Sequence, residues 1–253
     1  MKIRINPRYE TLRPFVEKLA DPLFFDRHGE TLQSGRNIVK RFEVGGIPLV
    51  VKSYVRMTLC NRILYSTVRK SKAMRAYLHA ERLRNLGIDT PEEVAVVEVR
   101  RRGVLRQSCF VSLCSDYRPL RPVIERFLQG SDSKPILDGV AEFLNRMHWA
   151  GVLHEDLNVG NILYREGPSG KYLFCVIDTN RMSFHRHLSM RQRLKNMRRL
   201  TCGTPAYLYI LQRYAEILHE DTESVQLKGV FSKLLFERRQ RTKWKIKDLF
   251  RRK

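Results

Sequence analysis

Residues 154–163 read His154-Glu155-Asp156-Leu157-Asn158-Val159-Gly160-Asn161-Ile162-Leu163, and Asp178 stands seventeen residues beyond Asn161, closing the apolar run Phe174-Cys175-Val176-Ile177. Upstream, residues 135–150 carry helical periodicity that should stop at Gly151. Asp and Asn often do no more than shape turns. Here they follow a helix, a glycine and a histidine in fixed order, and an apolar Ile162-Leu163 follows them, which points to a functional loop. Further downstream, 189–200 and 205–219 read as helices.

Working toward the N-terminus, the pattern turns β-like. Residues 29–35 lead into the alternating run Ile38–Val44, Gly45-Gly46 supplies a hairpin turn, and Ile47–Lys52 follows as a β-branched run with Pro48 near its start. After a basic, irregular stretch at 56–70, residues 72–86 are a helix candidate ending at Gly87 with Pro91 beyond. Val94–Val99 and Ser108–Leu113 read as two more strands flanking a turn at Gly103. A β-rich half joined to a helical half is an α+β arrangement of two lobes. The expected boundaries are 1–114 for the first lobe, 115–235 for the second, and 236–253 for a basic tail.

The 253 residues contain 48 Lys+Arg against 26 Asp+Glu, a net charge of +22, with 43% apolar residues. The apolar content is ordinary for a packed chain, and the cationic excess calls for an anionic partner without naming it. No apolar run reaches the ~20 residues that cross a bilayer. The N-terminus, Met1-Lys2-Ile3-Arg4, lacks the apolar core of a signal peptide. Five widely spaced cysteines without a C-x-x-C pair fit reduced thiols rather than a zinc or disulfide scaffold, so a cytoplasmic location is expected.

The string from His154 to Asn161 has the spacing of the protein-kinase catalytic loop, H-R-D-x-x-x-x-N, which is likewise followed by a metal-binding Asp after a strand. Phosphoryl transfer to a hydroxyl needs a carboxylate to take the proton and hard oxygen ligands for the magnesium that bridges the phosphates. Asp156 suits the first role, and Asn161 with Asp178 suits the second; His154 reads as a structural residue of the loop. The same string, with Val176-Ile177-Asp178-Thr179-Asn180-Arg181, resembles the lipopolysaccharide kinase (Kdo/WaaP-type) family, a bacterial branch of the protein-kinase-like superfamily.

That resemblance implies a two-lobed protein-kinase-like fold and ATP with Mg2+ as cofactors. It also implies phosphorylation of an inner-core sugar of lipopolysaccharide, Kdo or heptose. Asn158 stands where eukaryotic protein kinases usually carry Lys, as in sugar and small-molecule kinases, and is expected to contact the transferring phosphate or the acceptor. Asp178-Thr179-Asn180 replaces D-F-G. The alternatives are an atypical Ser/Thr protein kinase, disfavoured by Asn158 and by the lack of an A-P-E segment, and a pseudokinase or basic binding module.

The rest of such a site can be sought residue by residue. Lys52 ends the third strand of the first lobe, where a phosphate-pairing Lys belongs. On the helix at 72–86, Met74, Tyr77 and Leu78 share a face with Glu81, and a carboxylate turned inward wants a cation, so a Lys52–Glu81 pair is expected. No G-x-G-x-x-G exists; Gly35, in Ser34-Gly35-Arg36-Asn37, is the candidate for the phosphate-covering loop. The adenine is expected at the inter-lobe linker near Ser115, within 113–117.

The charge is uneven. Seven Lys+Arg and no acid lie between Arg181 and Arg199, beside the segment expected to border the acceptor, and Arg181 itself is a candidate anion contact. The tail at 236–253 holds nine Lys+Arg against Glu237 and Asp248, with Trp244, Ile246, Leu249 and Phe250 among them. Apolar residues among cations suit an anionic membrane surface, which the lipopolysaccharide-kinase resemblance implies is the cytoplasmic face of the inner membrane. A nucleic-acid-binding tail is the alternative that composition alone leaves open. A nucleic-acid partner ranks below an anionic glycolipid.

Overall fold

The computed structural model describes residues 1–35, 37–54 and 70–251, with the side chains of helix residues 246–251 excluded. Arg36, the stretch 55–69 and the last two residues lie outside the described set, and so do the side chains of Ile246, Leu249 and Phe250. The chain divides into two compact units, one of residues 1–116 with 176–181, the other of 117–175 with 182–253.

The first unit is built on a six-stranded antiparallel sheet in the order β1-β5-β6-β4-β3-β2. Its strands are β1 (Lys2–Ile5), β2 (Glu30–Ser34), β3 (Ile38–Val44), β4 (Ile47–Ser53), β5 (Glu93–Arg101) and β6 (Val104–Leu113). Two tight hairpins set its register. Gly45 and Gly46 have φ of +57° and +77°, and Arg102 and Gly103 have +51° and +76°. Paired positive φ angles make the turn whose twist matches that of its strands.

Neighbouring residues of a strand face opposite sides of a sheet, and Val96 and Val97 of β5 accordingly join two different clusters. Val97, Leu49, Val51 and Val111 pack under α1 (Arg13–Lys18) and α2 (Pro22–Arg27), which contribute Phe15, Val16 and Phe25. Val96 packs with Tyr54, Ala73 and Tyr77, the last two from α3 (Lys72–Asn85). The sheet is thus covered on both faces. The N-terminal layer has no counterpart in the sequence reading, because six-residue helices begun by prolines are too short to show a period.

The second unit is mainly helical: α4 (Arg121–Leu128), α5 (Lys134–Trp149), α6 (Met190–Met197), α7 (Thr204–Leu218) and α8 (Thr222–Arg251). The buried stripe of α5 runs Ile136, Leu137, Val140, Ala141, Phe143, Leu144, Met147, and that of α7 runs Ala206, Tyr207, Ile210, Leu211, Tyr214. Short strands β8 (Val152–His154) and β11 (Met182–Phe184) pair antiparallel with His154 opposite Met182, while β7 (Arg118–Pro119), β9 (Ile162–Glu166) and β10 (Tyr172–Val176) form a second small sheet. Residues 236–251, expected as a separate tail, are the second half of α8, a single helix of 30 residues. The expected partition also lacked the return of 176–181 to the first unit.

Gly151 joins α5 to β8 with φ of +71°, and a Cβ there would lie 1.9 Å from the carbonyl oxygen of His185. Only glycine meets both demands. Gly151→Ala is expected to cost upward of about 2 kcal/mol from the positive φ and the displaced strand pair, read as a lowered urea midpoint.

Candidate active site

In the second unit, β8 delivers the chain to a loop whose geometry converges on the main chain of Asp156. The Asp156 amide donates to His154 Nδ1 at 3.1 Å. Its carbonyl oxygen accepts from Asn158 Nδ2 at 3.0 Å and from Asn161 Nδ2 at 2.9 Å. Asn158 Oδ1 then caps the short helical turn Val159–Asn161 by accepting from Gly160 N at 2.9 Å. Leu157, Val159 and Ile162 anchor the loop in the interior. Three side chains therefore hold the two peptide groups that flank the Asp156 Cα, so the carboxylate of Asp156 projects from a backbone held on both sides.

Asn158, expected to reach the transferring phosphate or the acceptor, makes one bond within the loop from Nδ2 and one to Oδ1, which leaves a second amide hydrogen and a second lone pair. Asn161 spends its Nδ2 on Asp156, so the atom it can offer a cation is Oδ1.

A buried polar chain lies behind His154. Asn196 of α6 donates Nδ2 to the His154 carbonyl at 2.8 Å, and its Oδ1 accepts from His148 Nε2 at 3.2 Å. His148 Nδ1 accepts from the Tyr214 hydroxyl at 2.8 Å, and Tyr214 in turn accepts from Arg193 Nη1 at 3.3 Å. A neutral imidazole protonated on Nε2 satisfies this sequence of donors and acceptors. Burial, aided by the charge of Arg193 and opposed by the Asn196 bond, lowers the His148 pKa to about 4, and burial pushes the Tyr214 phenol up to about 12. The sequence offered no signal for this chain, since its members are spread over three helices.

In the first unit, Lys52 of β4 sits with Nζ 2.8 Å from Asp178 Oδ1. Asp178 has φ of +58°, and Asn180 Nδ2 donates to Asp178 Oδ1 and, at 3.4 Å, to the buried Tyr54 hydroxyl. Burial first, and then the charge of Asp178, raise the pKa of that phenol. Helix α3 holds the intervening Thr179 by both ends: Thr179 Oγ1 donates to the Ala76 carbonyl at 2.9 Å, and the Thr179 carbonyl meets His79 Nδ1 at 2.7 Å. Desolvation lowers the His79 pKa, and the bond to the Thr179 carbonyl opposes that shift. Thr90 Oγ1 and Asp89 O tie down Val176 at 2.7 and 3.0 Å.

The Lys52–Glu81 pair is not formed; Lys52 pairs with Asp178, and Glu81 pairs with Arg4 of β1 at 3.6 Å. The packed stripe of α3 is Ala73, Ala76, Tyr77, Ala80 and Leu83. Alanines carry most of it, so a reading keyed to Met74, Tyr77 and Leu78 sets the helix about one residue out of phase. His79 of α3 faces the Asp178 segment through its bond to the Thr179 carbonyl.

Gly35 ends the β2 side of its turn, and a Cβ there would meet nothing within 4 Å, so no steric demand for glycine exists at that position. Ser115 lies in the segment after β6, beyond Cys114, whose amide bonds the Pro48 carbonyl at 2.8 Å. Arg181 is exposed at the end of the 176–181 segment.

Among the described residues no cluster of three or more His, Cys, Asp or Glu could hold a metal. Magnesium asks for less: one or two protein oxygens, with waters and phosphates completing the shell. The carboxylate of Asp178, which already attracts an ammonium group, and Oδ1 of Asn161 are donors of the right hardness.

A covered antiparallel sheet bearing Lys52, followed by a helical unit bearing an H-x-D-x-x-x-x-N loop, is the protein-kinase-like fold, and the chain is a kinase. The model of the lipopolysaccharide kinase (Kdo/WaaP) family matches residues 28–207, well over half of the sequence, and the chain belongs to that family. A solved structure, WaaP in complex with acyl carrier protein, is similar with a TM-score of 0.62 at 18% identity, over 96% of this chain and 99% of that one. No curated protein sequence matches the chain significantly.

The His148 chain makes stability depend on pH. An unfolded histidine, with a pKa of about 6.5, takes up a proton that the folded state refuses until about pH 4. The unfolded state therefore binds more protons within that window, and stability falls as pH drops through it, by up to about 1.4 kcal/mol per unit. Urea unfolding at pH 7 and pH 5 should show this loss, and His148→Gln should flatten it. Asn196→Ala, which strips the His154 carbonyl of its buried donor, is expected to cost about 1–3 kcal/mol at neutral pH.

Proposed function

We propose that the chain transfers the γ-phosphoryl group of ATP to a hydroxyl of a lipopolysaccharide inner-core sugar, Kdo or heptose. The observation that carries this reading is the fixed Asp156 peptide of the catalytic loop, in a chain whose family phosphorylates lipopolysaccharide.

Asp156 orients the acceptor hydroxyl and takes its proton. Because its backbone is held by His154, Asn158 and Asn161, little reorganisation is left for the reacting state. Lys52 places a cation for the nucleotide phosphates, and Asp178 and Asn161 provide the oxygen ligands for Mg2+. When bound, ATP and Mg2+ supply the phosphoryl group and neutralise its charge. Asn158 and His154 act as positioning residues. Gly35, Ser115 and Glu81 keep only the support of their place in the chain, and Glu81 is weakened by its pairing with Arg4. Arg181 remains a candidate contact for an anionic acceptor.

The acceptor is a lipid-borne sugar, which places the enzyme peripherally at the cytoplasmic face of the inner membrane. The +22 charge supports attraction to that anionic surface, and no described helix is long and apolar enough to cross it. WaaP was solved with acyl carrier protein, and the proposal extends to a carrier-protein partner for this chain, checked by co-purification.

With purified chain, labelled ATP, Mg2+ and lipid-linked core sugar, label should pass to the sugar. Asp156→Ala and Asp178→Ala should each lower transfer by at least about 100-fold while the circular dichroism spectrum persists. Label on generic proteins but not on the glycolipid would instead favour a protein acceptor. Wild-type turnover in either variant would remove the mechanism.

A further inference from the structure

The outward face of α8 departs from what a solvent-facing helix needs. Leu227, Phe231 and Leu234 are 73%, 63% and 56% exposed. Single exposed apolar residues are ordinary, but these three occur at i, i+4 and i+7 and form one stripe. The same stripe continues at i+11, i+14 and i+18 as Arg238, Arg241 and Lys245, which with Leu234 line a shallow groove of about 400 Å³. Over about 27 Å of helix, one line of side chains changes from apolar to cationic.

A second groove, of about 990 Å³, runs between α8 and α6. Phe231 and Leu235 give it an apolar wall, while Arg191, Lys195, Lys228 and Arg239 supply cations. Among the described residues neither groove has an acidic side chain in its lining.

We propose that this α6–α8 face docks on a bilayer of anionic phospholipid. It rests on the membrane-surface reading above and places the contact on a preformed helix face rather than on the terminal residues. Segregation along the stripe favours a bilayer over an acidic protein, since a bilayer presents an apolar layer directly beneath a layer of phosphates. The Leu227–Leu234 end of α8 enters the acyl boundary. The Arg238–Lys245 end stays at the phosphates, and the cations of α6 hold headgroups beside it.

The test is co-sedimentation of the full chain with vesicles of phosphatidylcholine alone or mixed with phosphatidylglycerol. Wild type should bind only the mixed vesicles. Phe231→Asp with Leu234→Asp, and separately Arg238→Glu with Arg241→Glu, should each weaken that binding by about tenfold or more. The charge-matched control Lys243→Glu with Lys171→Glu, both exposed and off the stripe, should weaken it less. These sites are exposed, and an unchanged urea midpoint confirms folding. If wild type binds mixed vesicles and the stripe variants bind equally well, the stripe is overturned while the membrane reading stands. If wild type binds no vesicle, both fall and the face is left to an acidic protein.

Discussion

The peptide of Asp156 is the point on which the functional account depends. A carboxylate that must meet a hydroxyl gains little from proximity unless its backbone is already in place. Here the amide is held by His154 and the carbonyl by two asparagines. His154 is in turn held through its carbonyl by Asn196, and Asn196 by the buried His148. The loop is therefore backed by a hydrogen-bond chain that runs through α6, α5 and α7. A buried chain of this kind is costly if any member is lost, because each removed partner leaves a polar atom unsatisfied.

The Asp178 segment is secured by a different route. Its grip comes from α3, through both the hydroxyl and the carbonyl of Thr179, and from the residues after α3 that bond Val176. Lys52 meets the Asp178 carboxylate across the same unit. The ammonium and the carboxylate thus compensate one another's charge.

The sequence carried the catalytic loop openly because its spacing is dictated by local turns: Asp156, Asn158 and Asn161 bond one another within six residues. The β3–β4 hairpin and the ends of α3 and α5 were equally legible, each marked by glycines that adopt positive φ at Gly45, Gly46, Gly87 and Gly151. Legibility failed where packing rests on small or distant groups. The face of α3 is set by alanines, so Glu81 was assigned to Lys52 when it meets Arg4 on a strand the sequence reading did not contain. His79, His148 and Asn196 act across helices, which no periodicity reports. The cationic excess was legible only as a total. Part of it is structural: buried Lys40 donates to the Asp26 and His28 carbonyls at the end of α2, and Lys233 to those of Leu200 and Cys202.

The central claim is that this chain adds a phosphate to lipopolysaccharide core by means of Asp156. Mass spectrometry of lipopolysaccharide from cells lacking the protein, complemented with wild type or with Asp156→Asn, tests it most directly. The account requires core that lacks one phosphate in the deletion strain, restored by wild type and not by the variant. Core with its full complement of phosphate in the uncomplemented strain, or restoration by Asp156→Asn, would contradict it.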